Sequence, residues 1–76
     1  MKKAGWKKVA DSRTAVQWVH MKRMDVIYAS KVGKTWVVDI LLNKKRGRGM
    51  LHFVRKRFRS KAKVLEFARH FMLRFP

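Results

Sequence analysis

The sequence predicts a small α+β domain: a three-stranded antiparallel sheet, with a fourth strand as the alternative, packed by one C-terminal helix. Short segments rich in β-forming residues alternate with glycine-containing turns, and the last segment has the apolar spacing of a helix. With 76 residues and 47% hydrophobic composition, the chain can form one small core but no fold with a large cleft. We expect residues 13–76 to be this single domain and residues 1–12 to be a basic N-terminal tail.

Three strands are expected in the middle of the chain. Residues 24–30 (MDVIYAS) and 35–42 (TWVVDILL) are rich in Val, Ile, Thr and aromatic side chains, which favour strands. Residues 31–34 between them include a glycine and predict a hairpin loop. Residues 43–49 (NKKRGRG) contain two glycines and no apolar residue, so they predict a second turn before a third strand over residues 50–58.

Residues 13–19 leave two interpretations open. Asp11 or Ser12 could cap a helix there, because both side chains can accept hydrogen bonds from the first backbone N–H groups of a helix. The same segment also alternates in the manner of a strand and is dominated by Thr, Val and Trp. We favour the additional strand.

A helix is expected from Ser60 to about residue 73. Ser60 is a good N-cap, because its hydroxyl can accept a hydrogen bond from an unpaired N–H of the first turn. One arc of the helical wheel is apolar and consists of Val64, Leu65, Phe67, Ala68, Phe71 and Met72. Lys61 and Lys63 place positive charge in the first turn, against the helix dipole. Either an external anion lies near this helix start, or an all-basic protein tolerates the two lysines.

Charge is the strongest functional signal in the composition. Lys and Arg number 21 against 4 Asp and Glu, giving a formal net charge of +17. The 47% hydrophobic and 12% aromatic content is too high for a disordered chain, so we expect a folded domain with a polyanionic partner. The absence of cysteine excludes disulfides and thiol catalysis, and favours a reducing, cytoplasmic location. No secretion signal or membrane-length apolar run is present, so no membrane partner is expected.

Catalysis is not expected. The four acidic residues show no local pairing that suggests a carboxylate dyad or a metal cage, and the three histidines have no ligand-like spacing. No phosphate-binding or dinucleotide-binding glycine motif is present. The enzymatic alternative is a small basic ribonuclease that uses His52 or His70 beside arginines. We therefore expect no catalytic residue, no metal site and no cofactor.

Residues 44–63 hold ten cations and no acid. A solvated charged surface usually mixes both signs to limit repulsion, whereas an unopposed cluster suits the neutralisation of phosphates. The residues expected to contact nucleic acid are Lys34, Thr35, Val37, Lys44, Lys45, Arg46, Arg48, Arg55, Arg57, Arg59 and Lys61. Membrane binding through the phenylalanines of the helix is the weaker alternative, because a small sheet needs those side chains in its core.

Strand alternation divides the sheet into two faces. The face that we assign to the helix carries Trp36, Val38, Ile40 and Leu42. The other face combines arginines with apolar side chains that could bind a protein, namely Val37, Leu41, Leu51 and Phe53. Either the N-terminal segment with Trp6 and Trp18 covers them, or another protein chain does, which makes a homodimer or a protein partner the second hypothesis. A β-bulge in the third strand would break this assignment.

Two short motifs frame the basic cluster. Residues 33–38 (GKTWVV) precede it, and residues 58–61 (FRSK) lead from it into Val64 and Phe67. This arrangement resembles the AP2-like, arm-type DNA-binding domains of phage integrases, which are three-stranded sheets backed by one helix and dock the sheet in the major groove of DNA. The resemblance covers about half of the chain. Val64 stands where that family more often has alanine, and apolar residues on the presumed DNA face are a second departure.

The resemblance implies DNA contacts at the matching positions, which are Lys34, Thr35, Val37, Arg46, Arg48, Arg55 and Arg57. Because no recombinase domain follows in this sequence, it also implies a stand-alone accessory or regulatory factor of a phage or another mobile element. We therefore predict a cytoplasmic, non-enzymatic protein that binds nucleic acid, with duplex DNA favoured over RNA. The alternatives are a small interaction protein that docks on a host protein or nucleoprotein complex, and an RNA- or ribosome-associated protein.

Overall fold

The chain forms an antiparallel sheet followed by one helix. A computed structural model describes residues 5–43 and 50–76, except for the side chains of residues 43 and 50–53. The elements in these residues are β1 (Trp6–Asp11), β2 (Ala15–His20), β3 (Val26–Val32), β4 (Thr35–Asn43), β5 (Met50–Phe58) and α1 (Lys61–Arg74). The strands form one sheet in the order β1-β2-β3-β4-β5, each antiparallel to the next. The α+β class and the C-terminal helix are confirmed, but the sheet has five strands rather than three or four.

Strand β1 is the main departure from the sequence prediction. A basic tail is expected over residues 1–12, yet Trp6–Asp11 form a strand that pairs with β2. A β-bulge interrupts the alternation of this strand, and only Trp6 of its six residues is buried. The indole N–H of Trp6 donates a hydrogen bond to the carbonyl oxygen of Phe75, 2.8 Å away. Local composition does not predict the strand, because its anchor lies at the other end of the chain.

Ser12 directs the turn between β1 and β2. Its hydroxyl oxygen accepts hydrogen bonds from the backbone N–H groups of Thr14 (3.3 Å) and Ala15 (3.1 Å). Its own backbone N–H donates to the carbonyl oxygen of Ala15 (2.7 Å). These bonds close a tight turn rather than start a helix. The strand interpretation of this part of the chain is therefore confirmed for Ala15–His20.

The helix begins as the sequence predicts. Ser60 is the N-cap, and its Oγ accepts a hydrogen bond from the backbone N–H of Lys63 (3.3 Å). The residues of α1 that are fully buried in the core are Val64, Ala68 and Met72. The buried apolar residues of the sheet are Trp6, Val16, Trp18, Ile27, Ala29, Trp36, Val38 and Ile40. One face of the sheet and one stripe of the helix thus make the core.

The phenylalanines lie at the margin of this core rather than at its centre. Phe58, Phe67 and Phe71 are only partly buried, and the ring centroids of Phe58 and Phe67 are 5.3 Å apart. The residues of the central stripe lie four positions apart and carry no aromatic ring, which lets the helix backbone approach the sheet closely. The bulkier rings therefore fill the flanks of the interface.

A buried histidine organises the turn between β2 and β3. Nδ1 of His20 accepts hydrogen bonds from the backbone N–H groups of Lys22 (3.3 Å) and Arg23 (3.0 Å). Its ring meets Trp6 edge to face, with 5.2 Å between the centroids. Gly5 lies against the same imidazole with a φ of +85°, and a Cβ at this position would overlap the ring. His20 is thus part of the structural core, and position 5 requires glycine.

Met72→Ala should destabilise the fold by about 2–5 kcal/mol, because it leaves a cavity in the core. Met72 is 1% exposed, whereas the next residue, Leu73, is 36% exposed, so Leu73→Ala is the matched control. Urea unfolding followed by circular dichroism measures both free energies of unfolding. Equal losses in the two variants would mean that α1 does not pack on the sheet through this stripe.

Gly5→Ala should destabilise the fold more than Gly33→Ala. Both glycines have positive φ, +85° and +63°, so an alanine at either position costs about 1–2 kcal/mol of backbone strain. Space is open around Gly33, whereas an added methyl group at Gly5 must also displace His20. Thermal melts compare the two variants, and a similar fall in Tm would contradict the contact between Gly5 and the imidazole.

Candidate nucleic-acid interface

A basic groove lies where the start of β4, the end of β5 and the first turn of α1 meet. It has a volume of about 470 Å³ and is lined by Thr35, Arg57, Phe58, Arg59 and Lys63. The inward packing of Phe58 turns its neighbours Arg57 and Arg59 away from the core, and both are exposed. Ser60 then caps the helix and brings Lys63 to the same end of the molecule. Three cations, a hydroxyl and an aromatic ring therefore share one concave surface.

The three aspartates pair with cations outside this groove. These ion pairs are Lys8–Asp11 (3.0 Å), Lys61–Asp11 (2.8 Å), Arg23–Asp25 (2.8 Å) and Arg55–Asp39 (2.7 Å). Within residues 5–43 and 50–76, no carboxylate lies within 4.0 Å of the charged groups of Arg57, Arg59 or Lys63. The charges of these three groove cations are therefore not offset by any acid among the described residues.

The structure brings together part of the expected site. Thr35, Arg57 and Arg59 line the groove, and the exposed Lys34 precedes Thr35 in the β3–β4 turn. Val37 pairs with Arg57 across β4 and β5. The residues Lys44, Lys45, Arg46 and Arg48 lie outside the part of the chain that the structure describes.

Two groove residues, Phe58 and Lys63, were not among the expected contacts. Lys63 follows the N-cap Ser60 by three residues, so it lies in the first helical turn beside the end of β5. This spacing is the sequence signal that could have identified it.

Lys61 has a structural partner inside the chain. Its ammonium group donates to Oδ1 of Asp11 (2.8 Å) and to the carbonyl oxygen of Ser12 (2.9 Å). This contact ties the β1–β2 turn to the start of α1. Asp11 is thus the anion near the helix start, and it belongs to the protein itself. Lys61 is therefore less suited to nucleic-acid contact than Lys63 is.

Arg55 is also held by an acid. Its Nε donates to Oδ1 of Asp39, its partner residue on β4, over 2.7 Å. The Arg55 side chain nevertheless remains 60% exposed. Arg55 is therefore a cation on the edge strand whose charge is partly offset by Asp39.

The face of the sheet opposite α1, called here the open face, is not covered by the two tryptophans of the N-terminal segment. Trp6 and Trp18 are buried in the core on the helix side, so they cannot cover it. The central positions of the open face, by strand alternation and register, are Gln17, Val19, Val26, Tyr28, Ser30, Val37, Asp39 and Leu41, with Lys7, Arg55 and Arg57 at its margins. The expected placement of Val37 and Leu41 away from the helix is consistent with this register.

A β-bulge in β5 breaks the assignment of Leu51 and Phe53 to the open face. Ile40 pairs with Val54, but the next residue, Leu41, pairs with His52. Because of this extra residue, the face on which Arg55 lies does not predict the face of Leu51 or Phe53. The side chains of these two residues are outside the part of the chain that the structure describes.

Other kinds of site receive no support in the part of the chain that the structure covers. Its residues contain no group of three or more His, Cys, Asp or Glu placed to hold a metal ion. None of its helices is long and apolar enough to cross a membrane. His20 is buried in a structural turn and His70 is exposed on α1.

The ion pairs of Asp11 change the acidity of its carboxyl group. Hydrogen bonds from Lys61 and then from Lys8 hold the pKa of its carboxyl below the ordinary value of 3.8. A lowered pKa in the folded state means that the ionised carboxylate stabilises the fold above pH 3.8, and that this stabilisation is lost as the pH falls further.

Asp11→Asn should lower stability at pH 7 because it weakens the tie between the β1–β2 turn and α1. The difference from the unchanged protein should shrink below pH 3.8, where Asp11 itself becomes protonated. Urea unfolding at pH 7, 5 and 3 measures this difference without added salt. Glu66→Gln, an exposed carboxylate on α1, is the control. An Asp11→Asn difference that stays constant from pH 7 to pH 3 would contradict the ion pair.

Comparisons with known proteins found no relative of this chain. No family model matches the chain, and neither the curated proteins nor the solved structures give a match. The resemblance to the arm-type domains of integrases therefore remains a prediction from the sequence. The proposals below are based on the groove and the open face.

Proposed function

We propose that this protein binds nucleic acid through the basic groove, with duplex DNA as its target, and that it does so without chemistry of its own. The observation that carries this proposal is the clustering of Arg57, Arg59 and Lys63, none of which has a carboxylate partner among the described residues. The ion pairs of the described residues lie outside the groove.

The groove has the chemistry of a phosphate-backbone contact. The planar guanidinium groups of Arg57 and Arg59 can each donate two parallel hydrogen bonds to phosphate oxygens. Lys63 adds a point charge, and the Thr35 hydroxyl adds a neutral donor. Lys34, in the adjoining turn, extends the positive surface along the edge of the sheet. Successive phosphates of a backbone can therefore meet donors spread over three elements.

The large net positive charge favours a polymeric anion over a small one as the ligand. A net charge of +17 on 76 residues opposes the compact state through self-repulsion, and binding a polyanion relieves that repulsion. Each neutralised phosphate also releases a condensed counterion, which gives affinity without base-specific contacts. A single phosphate would neutralise only a small part of this excess.

The resemblance to integrase arm domains supports the choice of DNA. Lys34, Thr35 and Arg57, three of the contact positions that it implies, lie together at the groove end of the sheet. The sheet departs from that family because it has five strands. A role as an accessory or regulatory factor of a phage or mobile element follows from the resemblance alone and is part of the proposal.

Arg57→Ala combined with Arg59→Ala should weaken duplex binding and flatten its salt dependence. On a 20-base-pair duplex, five to eight phosphate contacts give a slope of log K against log salt of roughly −4 to −7. Loss of two contacts should reduce the magnitude of this slope by about 1.8, from about 0.9 per contact. Fluorescence anisotropy at several salt concentrations measures it.

Lys22→Ala combined with Arg69→Ala removes the same charge from exposed positions outside the groove. This control should keep the original slope. Equal slopes in the two double variants would show that net charge, and not the groove, determines binding. Binding of the unchanged protein that is insensitive to salt would reject phosphate neutralisation altogether.

A further inference from the structure

A row of polar side chains crosses the middle of the open face. Strand register aligns Gln17, Tyr28, Asp39 and Arg55 side by side on β2 to β5. Tyr28 lies in the centre of the sheet and is 38% exposed, a high value for a large aromatic residue on a central strand. It is the single tyrosine of the chain. The aromatic ring and its polar neighbours thus form a surface that nothing in the described chain covers.

Apolar side chains run beside this polar row. Val19, Val26 and Leu41 align on one side of it and are partly buried. Val37 lies on the other side, next to Arg57. The open face is therefore neither a purely cationic surface nor a purely apolar patch.

Unpaired nucleotides suit a surface that combines an aromatic ring, polar side chains and bordering cations. A base that is free of a duplex presents a flat apolar ring, hydrogen-bonding edges and a phosphate. The Tyr28 ring can stack on such a base, and Gln17 can bond its edge. Cations border the surface on both sides, with Lys7 on β1 and the two arginines of β5.

We infer that the open face binds single-stranded DNA, with Tyr28 as the stacking platform. The inference rests on the proposed function and extends it, because Thr35 and Arg57 belong to both the basic groove and the open face. A strand whose backbone is held in the groove can continue across β4 and β3 and place a base on Tyr28. A duplex cannot use this ring, since its base faces are already stacked.

The side chains of the open face disfavour two other binding partners, a second copy of this chain and a protein with an apolar surface. A second copy of the chain would bring a further net charge of +17 toward the same cationic margins. A protein partner with an apolar surface would desolvate Gln17 and the ion pair between Arg55 and Asp39. A nucleic-acid strand meets these groups with its own donors and acceptors.

Tyr28→Ala should weaken binding to a single-stranded 20-mer by roughly 5- to 150-fold, from about 1–3 kcal/mol per stacked base. Binding to the duplex of the same sequence should stay within about twofold. Tyr28→Phe keeps the ring and should bind like the unchanged protein. Met21→Ala removes another exposed apolar side chain, 56% exposed in the β2–β3 turn, and should have no effect on either ligand. Fluorescence anisotropy measures all four proteins, and circular dichroism confirms that each is folded.

Photo-cross-linking of the unchanged protein tests the contact without any substitution. A 20-mer that carries 5-iododeoxyuridine forms a covalent bond to an aromatic side chain stacked on that base. Mass spectrometry should place the cross-link on the peptide that contains Tyr28. A cross-link confined to other peptides would overturn the assignment.

The outcomes separate this inference from the proposed function. Duplex binding that depends on Arg57 and Arg59, together with an equal effect of Tyr28→Ala on duplex and single strand, would overturn only the inference. Absence of binding to both DNA forms would reject the proposed function as well. Tighter binding to an RNA strand of the same sequence, or a Tyr28-dependent dimer in sedimentation, would also overturn the assignment of single-stranded DNA to this face.

Discussion

The packing of α1 on one face of the sheet is the interaction on which the rest of the structure depends. Fourteen helical residues span about 21 Å, which is close to the length of a strand of six or seven residues at about 3.3 Å per residue. The helix runs along the strands, from the β1–β2 turn, where Lys61 meets Asp11, to the β2–β3 turn, where Arg23 meets Phe75. No second helix is present in the described residues. Val64, Ala68 and Met72 pack the helix on one face, and no described element packs on the other face. The division between the structural face and the proposed binding face follows from this arrangement.

Contacts between the two ends of the chain explain what the sequence could and could not predict about the fold. Strands β3 and β4 and the Ser60 cap follow from local residue preferences, so they were predictable. Strand β1 depends on Trp6, whose indole bonds to the carbonyl oxygen of Phe75 across 69 positions of sequence. Arg23 reinforces this closure, since its guanidinium donates to the carbonyl oxygens of Phe75 (3.1 Å) and Pro76 (3.1 Å). Local patterns carry no trace of such long-range bonds.

The sequence predicted that the candidate site is made of basic residues, but not which of them lie together. An excess of cations between β4 and α1 is the basis of the proposed polyanionic partner, whereas tertiary geometry decides which of the described cations are held by an acid. Arg55 meets Asp39 across two strands, whereas Arg57, two residues later, faces the groove. Alternation predicts that both arginines share a face, and the bulge in β5 limits how far this rule extends. From the sequence, Tyr28 was predictable only as a strand residue, because its exposure depends on the fact that no described element packs on its face of the sheet.

The first turn of α1 shows how one element serves both the fold and the proposed ligand. Lys61 and Lys63 are two residues apart and point about 200° away from each other on a helix. Lys61 turns toward Asp11 and joins the β1–β2 turn to the helix, so its charge is neutralised within the protein. Lys63 turns toward Arg57 and Arg59, where its charge adds to that of the helix dipole instead of opposing it. Such an arrangement is unfavourable in the free protein and would become favourable with an anion in the groove. Under the proposed function, the same sequence feature that weakens the helix start would supply binding energy for phosphate.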